Sequence, residues 1–390
     1  MSEKKSSYST SGTRQLPYSE VVDVAALSRL FEDTTNSYKY LFFISLLDIL
    51  NRRQFDVSSS IAFEELVVEI LANAWYPHTY FKLSFGKRDQ VTNKLDLLEL
   101  DIKEPILKFT DTDKTLLRET IADQDLRKIV RSLQRYVPFR LIVPFFEEEL
   151  REVPNKGQGN YLDQAVPKVA EQHFGDRKPL YRFDSDQYSA CRAIILHPSW
   201  AAYLEKHYKI VRGWASWELL GYMQKRNPNT PNLIHKLFAP IKRESLASQT
   251  RYWKTVLENS DLTCIYSQQA IDPAHFSLDH YLPWSFVAHD QLWNLVPTSP
   301  EINSSKSNNL PPLQSLEDFI KVQHLGLATF RRNKPQRAWE KVAEDYIAGL
   351  GIHNDRDLLE LEILRNAYND VVQPLRSLAT NQGFKVWQVS

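Results

Sequence analysis

Between Cys264 and Pro311 the chain reads CIYSQQAIDPAHFSLDHYLPWSFVAHDQLWNLVPTSPEINSSKSNNLP, and there alone polar residues fall at spacings a reaction would need. His280, an imidazole that titrates near neutrality when unperturbed, is suited to taking a proton from water. Asp279 and the amide oxygen of Asn303 are hard donors, which favour Mg2+ or Mn2+ over Zn2+ and leave coordination positions for water. Lys306, three residues beyond Asn303 and on the same helical face, adds a cation.

These groups need a scaffold, and the flanking residues describe one. Residues 275–281 have strand character, and Pro283 prevents the run from continuing as a central strand. A second apolar run, Trp293-Asn294-Leu295-Val296, follows after a spacer too short for a helical crossover, so the two runs pair as an antiparallel hairpin with a long loop. Then Thr298-Ser299-Pro300-Glu301 supplies a hydroxyl cap, a first-turn proline and an early acid, which together predict a helix start. Neighbouring residues of a strand point to opposite faces, so Asp279 and His280 serve one site only if the strand bends or ends there.

The order DH, WNL, NSSK resembles the HNH nucleases in their HNN variant, and CIYSQQAI with NSSKSNNLP resembles the HNH domain of the Cas9 proteins most closely. The likeness covers about 50 of the 390 residues. It implies a ββα-metal fold and metal-dependent hydrolysis of DNA phosphodiester bonds. In that scheme His280 is the general base, Asp279 and Asn303 hold Mg2+ or Mn2+, Asn294 fixes the loop and the His280 backbone, and Lys306 touches a phosphate. The metal would neutralise the phosphate and stabilise the departing oxygen. Many HNH proteins brace this fold with paired cysteines on zinc. Here Cys264 stands 73 positions from Cys191, so no structural zinc is expected and apolar packing must hold the module.

The rest of the chain sets the context. Leu, Glu, Lys and Ala are plentiful and only 11 glycines occur, which predicts a mainly α, multi-helical protein around the embedded module. Two cysteines indicate a reducing compartment; no apolar leader or membrane-length run is present, so a cytoplasmic protein without membrane contact is expected. Helices are expected over 25–31, 38–50, 58–75 and 112–135, and a strand or buried turn over 139–143. Asp101-Ile102-Lys103 carries a DxK pattern that reads most simply as a charged helix face.

With 48 basic and 48 acidic residues, any nucleic-acid affinity must be regional. From 206 to 254 ten Lys or Arg face only two acids, interleaved with rings that either pack or stack; residues 255–312 carry one lysine against six acids, so the module will not hold DNA unaided. The phosphate contacts are therefore assigned to Lys225, Arg226, Lys236, Lys242, Arg243, Arg251 and Lys254 before the module, and to Arg331, Arg332 and Lys334 after it. The organisation expected is a disordered 1–18, a sensing or docking domain over 19–205, a basic helical segment over 206–254, the nuclease module over 255–312 and a helical region over 313–390. A nuclease joined to a large helical part suggests a bacterial antiphage or restriction effector, acting with a partner protein or trigger and open to oligomerisation. The competing reading is a nucleic-acid-binding subunit in which the HNH fold is a non-catalytic scaffold.

Overall fold

The computed structural model describes residues 16–32, 34–98, 100, 111–153, 161–238 and 245–388. Residues 1–15, the DxK tripeptide at 101–103, and Lys242 and Arg243 lie outside the described residues. Two compact units are present, the first drawn mainly from the chain up to Arg226, the second from Asn227 onward with Tyr76–Leu83. The division falls inside the basic segment 206–254.

The first unit contains, among other helices, α1 (Tyr38–Arg52), β1 (Ile61–Ala62), α2 (Phe63–Trp75), α3 (Arg127–Leu133), β2 (Tyr181–Phe183), β3 (Ala193–Leu196) and α4 (Pro198–Arg226). Helix α1 buries eleven of its fifteen residues, which is why its sequence is apolar almost all round, and it packs against both α2 and α4. Its one internal acid, Asp48, is answered by Arg212 Nε at 3.0 Å. Two aromatics of α4 serve the packing of this unit: Trp214 lies 5.0 Å from the Phe31 ring and Tyr222 5.6 Å from Tyr40.

Several local expectations change. The helix expected over 58–75 starts only at Phe63, because Ile61 and Ala62 pair antiparallel with Ile194 and Ala193 to complete a sheet ordered β1-β3-β2. The helix expected over 112–135 is broken: Asp125 accepts from the Arg127 backbone at 3.3 Å and grips its guanidinium with two 2.8 Å bonds, the local competition that stops helices at aspartates. The segment after it becomes a short helix, Val137–Leu141, with Pro138 in its first turn.

The second unit contains α5 (Ala247–Leu257), β4 (Ser277–His280), β5 (Leu295–Thr298), α6 (Pro300–Lys306), α7 (Leu316–Asn333), α8 (Gln336–Leu350) and α9 (Leu361–Asn381). Strands β4 and β5 form the expected antiparallel hairpin, with Asp279 opposite Val296 and His280 opposite Leu295. Pro297, which cannot donate to a ladder, is tolerated because the sheet has only two strands. Ser299 caps α6 by accepting from Ile302 N at 3.3 Å, with Pro300 as its first residue.

One cluster of buried side chains runs from Tyr252 to Phe384 without a break at 312. Tyr281 stacks on Phe319 at 4.0 Å, Tyr368 donates to the Trp293 carbonyl at 2.8 Å, and Gln323 of α7 donates to the Leu295 carbonyl at 2.8 Å. Gly349 of α8 is required by closeness: a Cβ there would sit 2.0 Å from the Trp293 indole nitrogen. The chain end returns to the module, as Leu310 N donates to Lys385 O and Trp387 N to Leu310 O, both at 2.8 Å.

Candidate functional site at the end of the hairpin

His280 is the last residue of β4, and its Nε2 lies 2.8 Å from Asp290 Oδ1. Both side chains are slightly exposed, 10% and 16%, so the pair sits just under the surface where water reaches it. When the ring is neutral with its Nε2 hydrogen on Asp290, Nδ1 carries the lone pair. The neighbouring His289 remains neutral at pH 7, since burial and then the His280 charge push it down to about 4.

The backbone after His280 is held by Asn294. Its Oδ1 accepts from Leu282 N and its Nδ2 donates to Leu282 O, both at 2.9 Å, and all of these groups are buried. An Asn294→Ala variant strands two buried backbone groups and is expected to lose about 2–5 kcal/mol of stability in urea unfolding; a loss under 1 kcal/mol would contradict that bracing.

Asp279 turns the other way, as strand alternation requires. Its Oδ1 accepts from Lys306 Nζ at 2.9 Å and its Oδ2 from the Tyr266 hydroxyl at 2.7 Å. Lys306 also donates to the His280 carbonyl at 2.7 Å, and its side chain is fully buried while that of Asp279 is 3% exposed. Burial, and then the Asp279 charge, push the Tyr266 phenol well above its ordinary value, so it stays a donor. The two residues expected as a metal ligand and a phosphate contact are thus joined to each other in a buried ion pair. Asn303, half-buried on α6, directs its Nδ2 at the Leu278 carbonyl at 3.5 Å.

The donor types suit a hard dication, but their arrangement does not: each Asp279 oxygen already has a donor, and an ammonium holds the place a cation would take. Among the described residues no three His, Cys, Asp or Glu side chains gather as a metal site. Cys264 is buried with its Sγ 3.1 Å from the Thr298 hydroxyl, inside the apolar packing that holds the hairpin.

The expected phosphate contacts are distributed unevenly. Lys225 and Arg226 are exposed at the end of α4, with Arg226 over the Tyr222 ring. Arg251 and Lys254 are exposed on α5, and Arg332 and Lys334 at the end of α7, with Arg331 half-buried over Trp339. Tyr252 of α5 and Phe330 of α7 meet at 4.8 Å. The rings Tyr252 and Trp253 are buried and pack rather than stack on bases.

Lys236 departs from expectation. It is 1% exposed, donates to the Phe286 carbonyl at 2.5 Å and lies over the Phe286 ring, so it faces the core and no phosphate. Burial lowers it to about 7. A lysine lowered on folding costs stability in full below that value, and the cost is relieved as pH rises toward its unfolded value of about 10. Wild-type stability should therefore gain between pH 7 and 9 relative to Lys236→Met, a difference read by urea unfolding at both pH values.

Two partners in this site, Asp290 and Tyr266, carry no local signal. Asp290 follows His289 in the loop between the strands, and Tyr266 reads as an ordinary apolar residue of the CIYS lead-in.

Residues 264–312 match the family model of the HNH endonucleases, and the chain therefore carries an HNH domain. HNH domains are those of nuclease hydrolases that act on nucleic acid and in general use divalent metals, which supports nuclease activity for this chain. No curated protein and no solved structure matches the chain. No described helix is long and apolar enough to cross a membrane.

Proposed function

We propose that this chain is an endonuclease that hydrolyses DNA phosphodiester bonds with His280 as the general base. The observation that carries this reading is the His280–Asp290 pair at the surface end of β4, within the HNH match. Asp290 orients the ring and stabilises the imidazolium formed when Nδ1 takes a proton from water. Positioned bases of this kind contribute about 10²–10⁴-fold in rate. Asn294 keeps the chain after His280 in register with the hairpin, and Lys306, through the His280 carbonyl, holds it from the other side.

Mg2+ or Mn2+ is the ion proposed, with Asp279 and Asn303 as its donors. In the arrangement described, such an ion reaches Asp279 only when Lys306 releases Oδ1. One such site cuts one strand at a time. The exposed Lys225, Arg226, Arg251, Lys254, Arg332 and Lys334 are proposed to supply phosphate contacts, which predicts a steep salt dependence of DNA binding that weakens when they are neutralised. The biological role proposed is a cytoplasmic effector of antiphage defence or restriction, gated by a partner or trigger; this rests on analogy between domain arrangements.

A second reading, a DNA-binding subunit with the HNH fold as scaffold, is favoured by one observation, the engagement of both Asp279 oxygens. Incubation of supercoiled plasmid with Mg2+ or Mn2+ separates the two. Nicked circles that need metal support the nuclease, and tight binding without nicking under all additions supports the scaffold.

A further inference from the structure

The first unit holds a cleft of about 1450 Å3 to which the nuclease reading gives no part. Seven Lys or Arg line it against two carboxylates, in a chain whose 48 basic and 48 acidic residues balance. Two of the seven are neutralised locally, Arg29 by Glu147 at 3.2 Å and Arg140 by a two-bond contact with Asp163 at 2.7 and 2.9 Å. Lys128, Arg131, Arg135 and Arg192 are exposed, and among the described residues none has a carboxylate within ion-pair distance. Arg192 donates to the Ser189 and Cys191 carbonyls at 2.9 and 2.7 Å, which leaves its charge unanswered by any described carboxylate. Four cations without a carboxylate partner in one concavity repel one another, and such a grouping is relieved by a ligand bearing several negative charges.

The cleft wall is built to stay in place. Tyrosine hydroxyls secure three backbone carbonyls of the segment that carries Lys128, Arg131 and Arg135: Tyr38 to Leu133 at 2.5 Å, Tyr188 to Arg135 at 2.7 Å and Tyr181 to Pro138 at 2.5 Å. A preorganised wall reduces the entropy lost on binding. Beside the cations the Tyr136 ring is 36% exposed, with the Arg135 and Arg140 guanidinium groups 4.9 and 4.8 Å from its centre. Guanidinium groups grip phosphate oxygens by paired hydrogen bonds and lie flat on aromatic planes, so phosphates and a base find partners side by side.

We propose that this cleft binds a ligand in which several phosphates are joined to a nucleoside. A free nucleotide and a short single strand share that chemistry. Binding to the full-length protein in EDTA, which keeps any nuclease silent and makes the result independent of that activity, tests both sources. The probes are ATP by calorimetry and a fluorescein-labelled DNA 8-mer by anisotropy, on wild type, on Arg131→Glu/Arg192→Glu and on the milder Arg131→Gln/Arg192→Gln. Saturable binding of either probe, weakened at least tenfold by both variants with an unchanged melting temperature, supports the proposal, and the probe that binds identifies the source. No binding of either probe by wild type, affinity unchanged in both variants, or equal binding of inorganic tripolyphosphate and polyglutamate would overturn it.

Discussion

His280→Ala is expected to reduce plasmid nicking by about 10²–10⁴-fold while DNA binding holds within about twofold. The imidazole side chain is 10% exposed and meets the Asp290 carboxylate beside the surface, so its removal deletes a proton acceptor without opening the core. Asp290→Asn should act on the same step by a different route. It keeps a hydrogen-bond partner for Nε2 and removes the charge that stabilises the imidazolium, so a smaller loss is expected, accompanied by a change in the pH dependence of cleavage. The measurement is the initial rate of supercoiled-to-nicked conversion at fixed metal. Cleavage undiminished in His280→Ala would place the base elsewhere and remove the main support for the mechanism.

Lys306→Met is expected to cost about 3–5 kcal/mol of folding stability, the loss found when one member of a buried ion pair is deleted. The reason lies in what remains: the Asp279 carboxyl group would be left without its cation in a site 3% exposed, answered by the Tyr266 hydroxyl. The double variant Asp279→Asn/Lys306→Met removes that carboxyl group, keeps an acceptor for Tyr266, and should recover most of the loss. Urea unfolding of the four proteins of the cycle gives the coupling directly. A single variant within 1 kcal/mol of wild type would mean that the ammonium does not sit on the carboxylate in solution.

The sequence made the scaffold of the site legible because its signals are local. Ser299 and Pro300 mark the start of α6 by their own chemistry, and the two apolar runs with Pro283 between them admit little but a hairpin. Partnerships were not legible in the same way. Lys306 looks identical in sequence whether it meets water, a phosphate or Asp279; only the closure of α6 against β4 decides. Asp290 meets His280 because the intervening loop folds back through the short helix Trp284–Val287 and the left-handed Ala288, a path no periodicity announces. Lys236 failed for the same reason: it belongs to a run of basic residues, yet a short helix turns it onto Phe286. The unit boundary at Arg226 was hidden as well, since the excess of positive charge continues across it.

The roof that α7, α8 and α9 place over the hairpin bears on how this HNH domain can be handled. A fragment ending at Pro312 would retain His280, Asp290, Asn294 and Lys306, yet lose Phe319, Gln323, Tyr368 and the Gly349 notch that seats Trp293. It would expose the inner face of the hairpin and leave the Leu295 carbonyl without its donor. The residues proposed for catalysis are therefore not a portable cassette. Grafting this HNH domain onto another protein requires cutting upstream of α5 and carrying the chain through Trp387, so that the graft boundary is set by the apolar lining rather than by the motif.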